Sequence, residues 1–175
     1  PNNAAGSAIA KAAAINRESA ATGVNAVVNT NIMAGTAQSG TAAVTGRVVI
    51  NGVTSPTFST IMNNTRASRI AAVEAINRIS DITGVVAVNS NSESEGISLV
   101  AKDGRNIEVS FDTPDSAADF SARTGLREGV QAGTFSLESR VEGPIVISTS
   151  ATGNVHNAGL TVGDYTANAS TMRTV

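Results

Sequence analysis

The feature that most limits what this chain can fold into is a pattern it uses twice. Ala14-Ile15-Asn16-Arg17-Glu18-Ser19-Ala20-Ala21-Thr22-Gly23-Val24-Asn25-Ala26-Val27 recurs as Ala75-Ile76-Asn77-Arg78-Ile79-Ser80-Asp81-Ile82-Thr83-Gly84-Val85-Val86-Ala87-Val88. The two share A-I-N-R-x-S-x-x-T-G-V-x-A-V without a gap, which marks one supersecondary unit used more than once. A shorter echo, Phe120-Ser121-Ala122-Arg123-Thr124-Gly125-Leu126, keeps only the Thr-Gly-apolar element.

Each copy reads as a helix that stops and becomes a strand. Ile70, Val73, Ile76 and Ile79 recur at three-residue spacing before the second stop, as an apolar helical stripe would. Ala8, Ile9, Ala12, Ala13 and Asn16 trace a weaker version in the first copy. Thr22 and Thr83 are expected as the last residues before the turn. Gly23 and Gly84 then stand where a left-handed residue ends a helix, and Val24 and Val85 open β-type sequence.

Turn signals surround these hinges. Arg47 to Ile50, then Asn51-Gly52, then Val53 predicts a hairpin closed by a type I′ turn. Ile97 to Lys102, Asp103-Gly104 and Ile107 to Phe111 predict a second, and Gly133 to Arg140 with Pro144 to Ser150 a third, joined around Glu142-Gly143. Asp112-Thr113-Pro114-Asp115 resembles a helix start, with Asp or Thr as cap and a helix over Ser116 to Arg123. Helices set against mostly antiparallel hairpins make an α+β class, with two small modules. Residues 46–126 are expected as a module inserted into a discontinuous first one, 1–45 plus 127–175, with Met33 to Thr45 as the crossing.

Composition narrows the function. Aromatics are 3% of the 175 residues against 41% hydrophobic overall, so any core is built from Ala, Val and Ile and is thin per residue. The net charge of −2, with no Lys/Arg cluster, gives no electrostatic footprint for nucleic acid or anionic membrane. Cysteine is absent, which removes disulfides and thiolate metal sites. No apolar run approaches the ~20 residues of a membrane span, and no signal-peptide pattern opens the chain. The ends, Pro1-Asn2-Asn3-Ala4 and Met172-Arg173-Thr174-Val175, read as cuts through a longer protein.

Lys11-Ala12-Ala13-Ala14-Ile15-Asn16, running to Thr22-Gly23-Val24, resembles the flagellin IN motif, as does Val73-Glu74-Ala75-Ile76-Asn77, running to Thr83-Gly84-Val85. Val49-Ile50-Asn51-Gly52-Val53 resembles the strand-turn that precedes the motif's helix. Ile97 to Leu99, Asp103-Gly104 and Ile107-Glu108-Val109 resemble its trailing hairpin. The resemblance covers roughly residues 8 to 30 and 46 to 111. It implies outer domains of the D2/D3 type, in the variable, solvent-facing and antigenic middle of a bacterial flagellin. The subunit would be a secreted structural protein of the motility filament, exported unfolded by the flagellar type III route to an extracellular site. Its partners would be other flagellin subunits, met through terminal regions absent here, with antibodies or host surfaces meeting the outside. This section is expected to be monomeric, without nucleic-acid or membrane partners. The same motif occurs in filament-cap and hook-associated proteins, which leaves an adhesive or partner-binding module as the alternative.

The residues offer little for chemistry, so no enzyme, cofactor or metal site is expected. His156, the only histidine, lies in loop-like sequence without a second His or Cys for zinc. Some flagellins carry a metalloprotease insertion, and its H-E-x-x-H helix does not occur here. Asp112, Asp115 and Asp119 form the one acidic cluster. Its spacing is not that of an EF-hand, and helix capping and dipole compensation account for it. Glu93 and Glu95 read as a solvated turn, and Arg17, Glu18, Arg66 and Arg69 as surface helix charges. The glycines match no phosphate loop, and the four Phe and one Tyr form no stacking platform. Asn16 and Asn77, kept in both repeats, are expected to hydrogen-bond a neighbouring strand or turn backbone in preference to contacting a ligand. Asn63-Asn64-Thr65 and Asn168-Ala169-Ser170 match an N-glycan acceptor pattern, which means little in a bacterial chain, and exposed Ser and Thr offer O-glycan sites.

Overall fold

The computed structural model describes residues 6–40, 42–149 and 153–166. Ser150, the Asn168-Ala169-Ser170 pattern and both terminal tetrapeptides lie outside them. In chain order the elements begin α1 (Ala8–Arg17), α2 (Ser19–Thr22), β1 (Val24–Val28), β2 (Asn31–Met33), β3 (Thr45–Ile50), β4 (Val53–Thr54) and β5 (Phe58–Ser59). The middle runs α3 (Thr65–Asn77), α4 (Ser80–Thr83), β6 (Val86–Asn89), β7 (Ile97–Ala101), β8 (Ile107–Asp112), α5 (Ala117–Thr124) and β9 (Gly129–Gln131). After these come β10 (Phe135–Ser139), β11 (Ile145–Ile147), a 3₁₀ turn over Val155–Ala158, and β12 (Gly163–Tyr165). The fold is α+β with antiparallel sheets.

The chain divides into two units, Asn29–Thr134 and a discontinuous one formed by the chain before Asn29 and from Phe135 onward. The boundaries fall outside 46–126 because two short strands recruit their neighbours. Just ahead of the stretch expected to cross between modules, and ending on its first residue, β2 pairs with β7 through Asn31↔Ala101, Ile32↔Val100 and Met33↔Leu99. At the other end β9 pairs with β8 through Ile107↔Gln131.

The unit from Asn29 to Thr134 has a conventional core. One sheet runs β2-β7-β6 and another β4-β3-β8-β9, with β5 added to β3. Alternation along β3 and β8 places Val48, Ile50, Ile107 and Val109 inward, while α3 and α5 close the core with Ala72, Ile76 and Phe120. Phe120 is the aromatic centre, its ring 5.5 Å from Phe58 and 5.1 Å from Phe111. The other unit is leaner. Its fully covered apolar side chains among the described residues are Ala8, Ala12 and Ala26. Ala8 and Ala12 share one helix face at i,i+4 spacing. At roughly 25 cal/mol per Å², alanines bring much less burial free energy than the Ile, Leu and Phe of the larger unit.

Several expectations are corrected. The Asn51-Gly52 hairpin forms, with both residues at positive φ as a type I′ turn requires. The Asp103-Gly104 stretch does not close a hairpin, since β7 joins β2 and β6 while β8 joins β3 and β9. The turn falls one residue earlier, over Ala101 to Gly104, with the Gly104 N–H donating to Ala101 C=O. Gly then occupies the last position of the turn, and the chain leaves for the second sheet. Nor do Gly133–Arg140 and the later segment pair: β10 joins β1 and β11 joins β12. The α5 cap is Ser116, whose Oγ accepts from the Asp119 N–H, while Thr113 closes a separate turn ahead of the helix.

The apolar stripe on α3 is also rotated from the expected one. Ile70 and Ile79 are about two and a half turns apart at 3.6 residues per turn, so they face opposite ways. Ile70 is 42% exposed, and the covered face is Ser68, Arg69, Ala72, Ala75 and Ile76, with Ile79 following. Arg69, expected as a surface charge, is therefore buried. Its Nε donates to Asn89 Oδ1 and its Nη1 to Gln38 Oε1.

Candidate functional site

The two repeats fold alike, with their element ends matching to within one residue. In each, the first helix is interrupted after the Asn-Arg pair, at Glu18 (φ −98°, ψ 7°) and Ile79 (φ −109°, ψ 6°). A single further turn, α2 or α4, ends on Gly23 (φ 69°) or Gly84 (φ 67°), both left-handed, where any residue with a Cβ is strained. Their N–H groups donate to Ser19 and Ser80 C=O. The left-handed turn is why both repeats have glycine at this position.

The threonine acts in both directions. Thr22 Oγ1 donates to Glu18 C=O at 2.9 Å and accepts from the Val24 N–H at 3.2 Å. Thr83 Oγ1 does the same with Ile79 C=O (3.0 Å) and the Val85 N–H (3.2 Å). The echo at Phe120 repeats the device. Gly125 has φ 75°, Thr124 Oγ1 donates to Phe120 C=O at 2.7 Å, and the Leu126 N–H donates to Thr124 Oγ1 at 3.2 Å. A β-branched side chain is stiff at χ1, so one Thr fixes both the last helical carbonyl and the exit of the chain.

Asn16 and Asn77 complete the unit. Asn16 Nδ2 donates to Ala26 C=O at 2.9 Å, and the Ala26 N–H donates to Asn16 Oδ1 at 2.7 Å. Asn77 holds Ala87 in the same way, at 3.1 and 2.8 Å. A primary amide presents an N–H and a C=O on one side, as a residue of a facing strand does, so each Asn satisfies both backbone groups of one strand residue. Ile76 is fully buried in the larger core, whereas Ile15 is half-buried in the leaner unit.

The remaining candidates occupy scattered places. His156 is exposed in the 3₁₀ turn, whose cap is Asn154. Asp112 pairs with Arg47 at 2.7 Å, and Asp119 accepts from the Ser116 hydroxyl at 2.7 Å. Glu93 accepts from the Thr65 hydroxyl at the start of α3. Among the described residues no three His, Cys, Asp or Glu side chains gather as metal ligands, and no helix is long and apolar enough to cross a membrane. One perturbed carboxylate stands out. Asp103 is held below the usual carboxylate range by hydrogen bonds from the Arg105 guanidinium, which in turn raises the Arg105 pKa. Arg105 Nη1 also donates to Thr83 C=O at 2.8 Å, so this pair caps the helix end beside Gly84. The pair serves the hinge, as a structural cap.

Sequence reasoning did not find a concavity in the leaner unit. A cleft of about 340 Å³ is lined by Phe135, Leu137, Ile145, Ile147, Leu160 and Tyr165, with the Tyr165 hydroxyl donating to Thr161 C=O. Alternating apolar residues in 135–147 were the available signal, read only as strand pattern. The paired hinges, with their edge-holding amides, are thus the most specific feature of the molecule. No family model matches the chain, and no curated protein matches it.

Proposed function

We propose that this chain is the solvent-exposed outer section of a bacterial flagellar filament subunit, a structural protein forming the variable, antigenic surface and performing no catalysis. One observation carries the reading: both Ile-Asn repeats adopt the same helix, left-handed glycine and strand, with the same amide holding the same strand position. A repeat resembling the flagellin motif by sequence therefore behaves as one folding unit used twice. Solvent-facing polar loops and a lean, alanine-based unit fit a subunit section that meets the outside and is exported as an unfolded chain.

Immunogold labelling of the source bacterium with antibodies raised against this chain tests the proposal. Label is expected along the whole length of surface filaments. Labelling confined to a filament tip or hook junction would move the chain to the cap or hook-associated class, and label confined to the cell interior would end the reading. The apolar cleft at Phe135, Leu137, Ile145 and Ile147 favours the second reading, a partner-binding module. Saturable binding of the purified chain to mucin or arrayed glycans would support it, provided that filling the cleft with Leu137→Trp abolished the binding.

A further inference from the structure

We infer that the repeated asparagine is a strand surrogate, built to close the open edge of its sheet against addition of a strand from a second copy of this chain. The inference goes beyond the filament reading and stands without it.

The geometry begins with which edges are open. β1 has one strand partner, β10, and β6 terminates the order β2-β7-β6. In an antiparallel pair, successive residues turn their N–H and C=O alternately toward the partner and away from it. Gly23 C=O accepts from the Arg140 N–H, and the Asn29 N–H donates to Thr134 C=O, so odd-numbered residues face β10 and Val24, Ala26 and Val28 face outward. In β6 the Ser90 N–H donates to Gly96 C=O, so Val85 and Ala87 face outward.

The repeat occupies outward groups of the first two outward residues on each edge, Val24 with Ala26 and Val85 with Ala87. The Val24 and Val85 N–H groups are held by Thr22 and Thr83, and both backbone groups of Ala26 and Ala87 by Asn16 and Asn77. An exposed row of unpaired N–H and C=O groups is a template for strand addition, which natural sheets block by several devices. Here the block is a side chain that reproduces the hydrogen bonding of a neighbouring strand. The shared pattern keeps the two polar side chains that do this, Asn and Thr. The third hinge has Ala118 at the position matching the Asn, and the strand after it, β9, is held differently: Asn31 Nδ2 donates to Gln131 C=O at 2.9 Å.

The first edge is the more vulnerable. Asn16 is exposed, whereas Asn77 is half-buried; Val27 on the outer face of β1 is 44% exposed, much as Val86 and Val88 are on β6. The partner fitted to a vacated edge is an extended segment of a second copy.

The test is the mass of the full chain by size-exclusion chromatography with light scattering, with far-UV circular dichroism alongside. Asn16→Ala should raise the weight-average mass about twofold or more and increase β signal, concentration-dependently, as an opened strand edge predicts. Asn16→Ala combined with Val27→Lys restores no hydrogen bond but places a charge on the edge, and it should return the mass to that of the unmodified chain. A monomeric Asn16→Ala chain would overturn the inference, leaving the amide a structural clasp alone. So would self-association that Val27→Lys leaves unchanged. Should Asn16→Ala not fold, Asn16→Asp keeps the acceptor for the Ala26 N–H and lacks only the donor, and the same two outcomes apply to it.

Discussion

Replacing Asn77 by Ala isolates the clasp in the unit with the larger core. The change removes two hydrogen bonds, at 2.8 and 3.1 Å, and leaves the N–H and C=O of Ala87 without partners. Ala87 is 3% exposed, so water reaches those groups poorly once the amide has gone. A buried backbone group left unsatisfied costs about 1–3 kcal/mol. Asn77 is itself half-buried, and a cavity where its amide stood admits some water, so the lower part of the range applies to each group. The sum is roughly 2–3 kcal/mol, and at about 4–8 °C per kcal/mol for a domain of this size it lowers the melting temperature by roughly 10–20 °C. Circular dichroism melting reads the whole effect. Amide hydrogen exchange at Ala87 locates it, since protection there should drop further than elsewhere in the unit. A shift under about 2 °C, or an Ala87 amide that exchanges as before, would refute the claim that the amide holds this strand.

Further perturbations separate the other contributions. Gly96→Ala and Gly52→Ala both place Cβ on a left-handed residue, at φ 64° and 82°. At Gly96 the Cβ runs into the backbone oxygens of Thr36 and Gly125, whereas at Gly52 it meets nothing within 4 Å. Gly52→Ala should therefore cost only the local strain of about 1–2 kcal/mol, and Gly96→Ala should block accumulation of folded chain; equal melting temperatures would count against the packing. Asp103 titrates lower when folded than when unfolded. Its bond to Arg105 thus contributes fully above the unfolded pKa and is lost as pH falls through the folded one. Asp103→Asn should flatten the loss of melting temperature below about pH 4, where a free carboxylate titrates, and an unaltered slope there would remove the pair from acid stability. Phe120→Ala empties the aromatic centre and should cost about 3–5 kcal/mol in the larger unit, read by the same melting experiment, and a loss under about 1 kcal/mol would mean that centre collapses freely.

What sequence revealed and what it hid follows from the range of the interactions. The hinges were legible because each is closed within a short stretch: Thr22 bonds Glu18 and Val24, and Asn16 reaches only as far as Ala26. The Asn51-Gly52 turn was legible for the same reason. Strand partnership was not. Pairing of β1 with β10 joins Val28 to Phe135 across the whole of the other unit, and no local propensity encodes it. Asp103-Gly104 looked like a hairpin turn, but Arg105 is spent on Asp103 and on Thr83 C=O, which fixes the chain on its way to a different sheet. Arg69 was misplaced because three-residue spacing was read as a straight stripe when it drifts around the helix. The lining of the cleft falls within residues 135–165, but its concavity depends on β10 pairing with β1 and β11 with β12, which the alternation of apolar residues does not encode.

The polar side chains explain how so lean a composition holds its form. With three covered alanines as its described buried apolar set, the discontinuous unit gains little from burial and cannot leave strand groups unpaired as well. There Asn16 clasps a strand residue, and the unit with the larger core uses the same residue type in the same way: Asn77 clasps Ala87, Asn31 donates to the Arg105 and Gln131 carbonyls, and Asn51 exchanges side-chain bonds with Glu108 and Asn106. Each is a short side chain with few rotamers to freeze, so the ordering cost is small for two backbone groups satisfied. In the discontinuous unit the consequence is a stability that rests on local polar closures in place of a deep core, whereas the other unit adds its clasps to a core. Single clasp removals should then open their own strand in hydrogen exchange before the unit as a whole melts, and Asn16 variants should do so at lower free energy than Asn77 variants. Loss of protection that spread evenly over the unit from either substitution would show instead that the clasps and the alanine core act as one cooperative body.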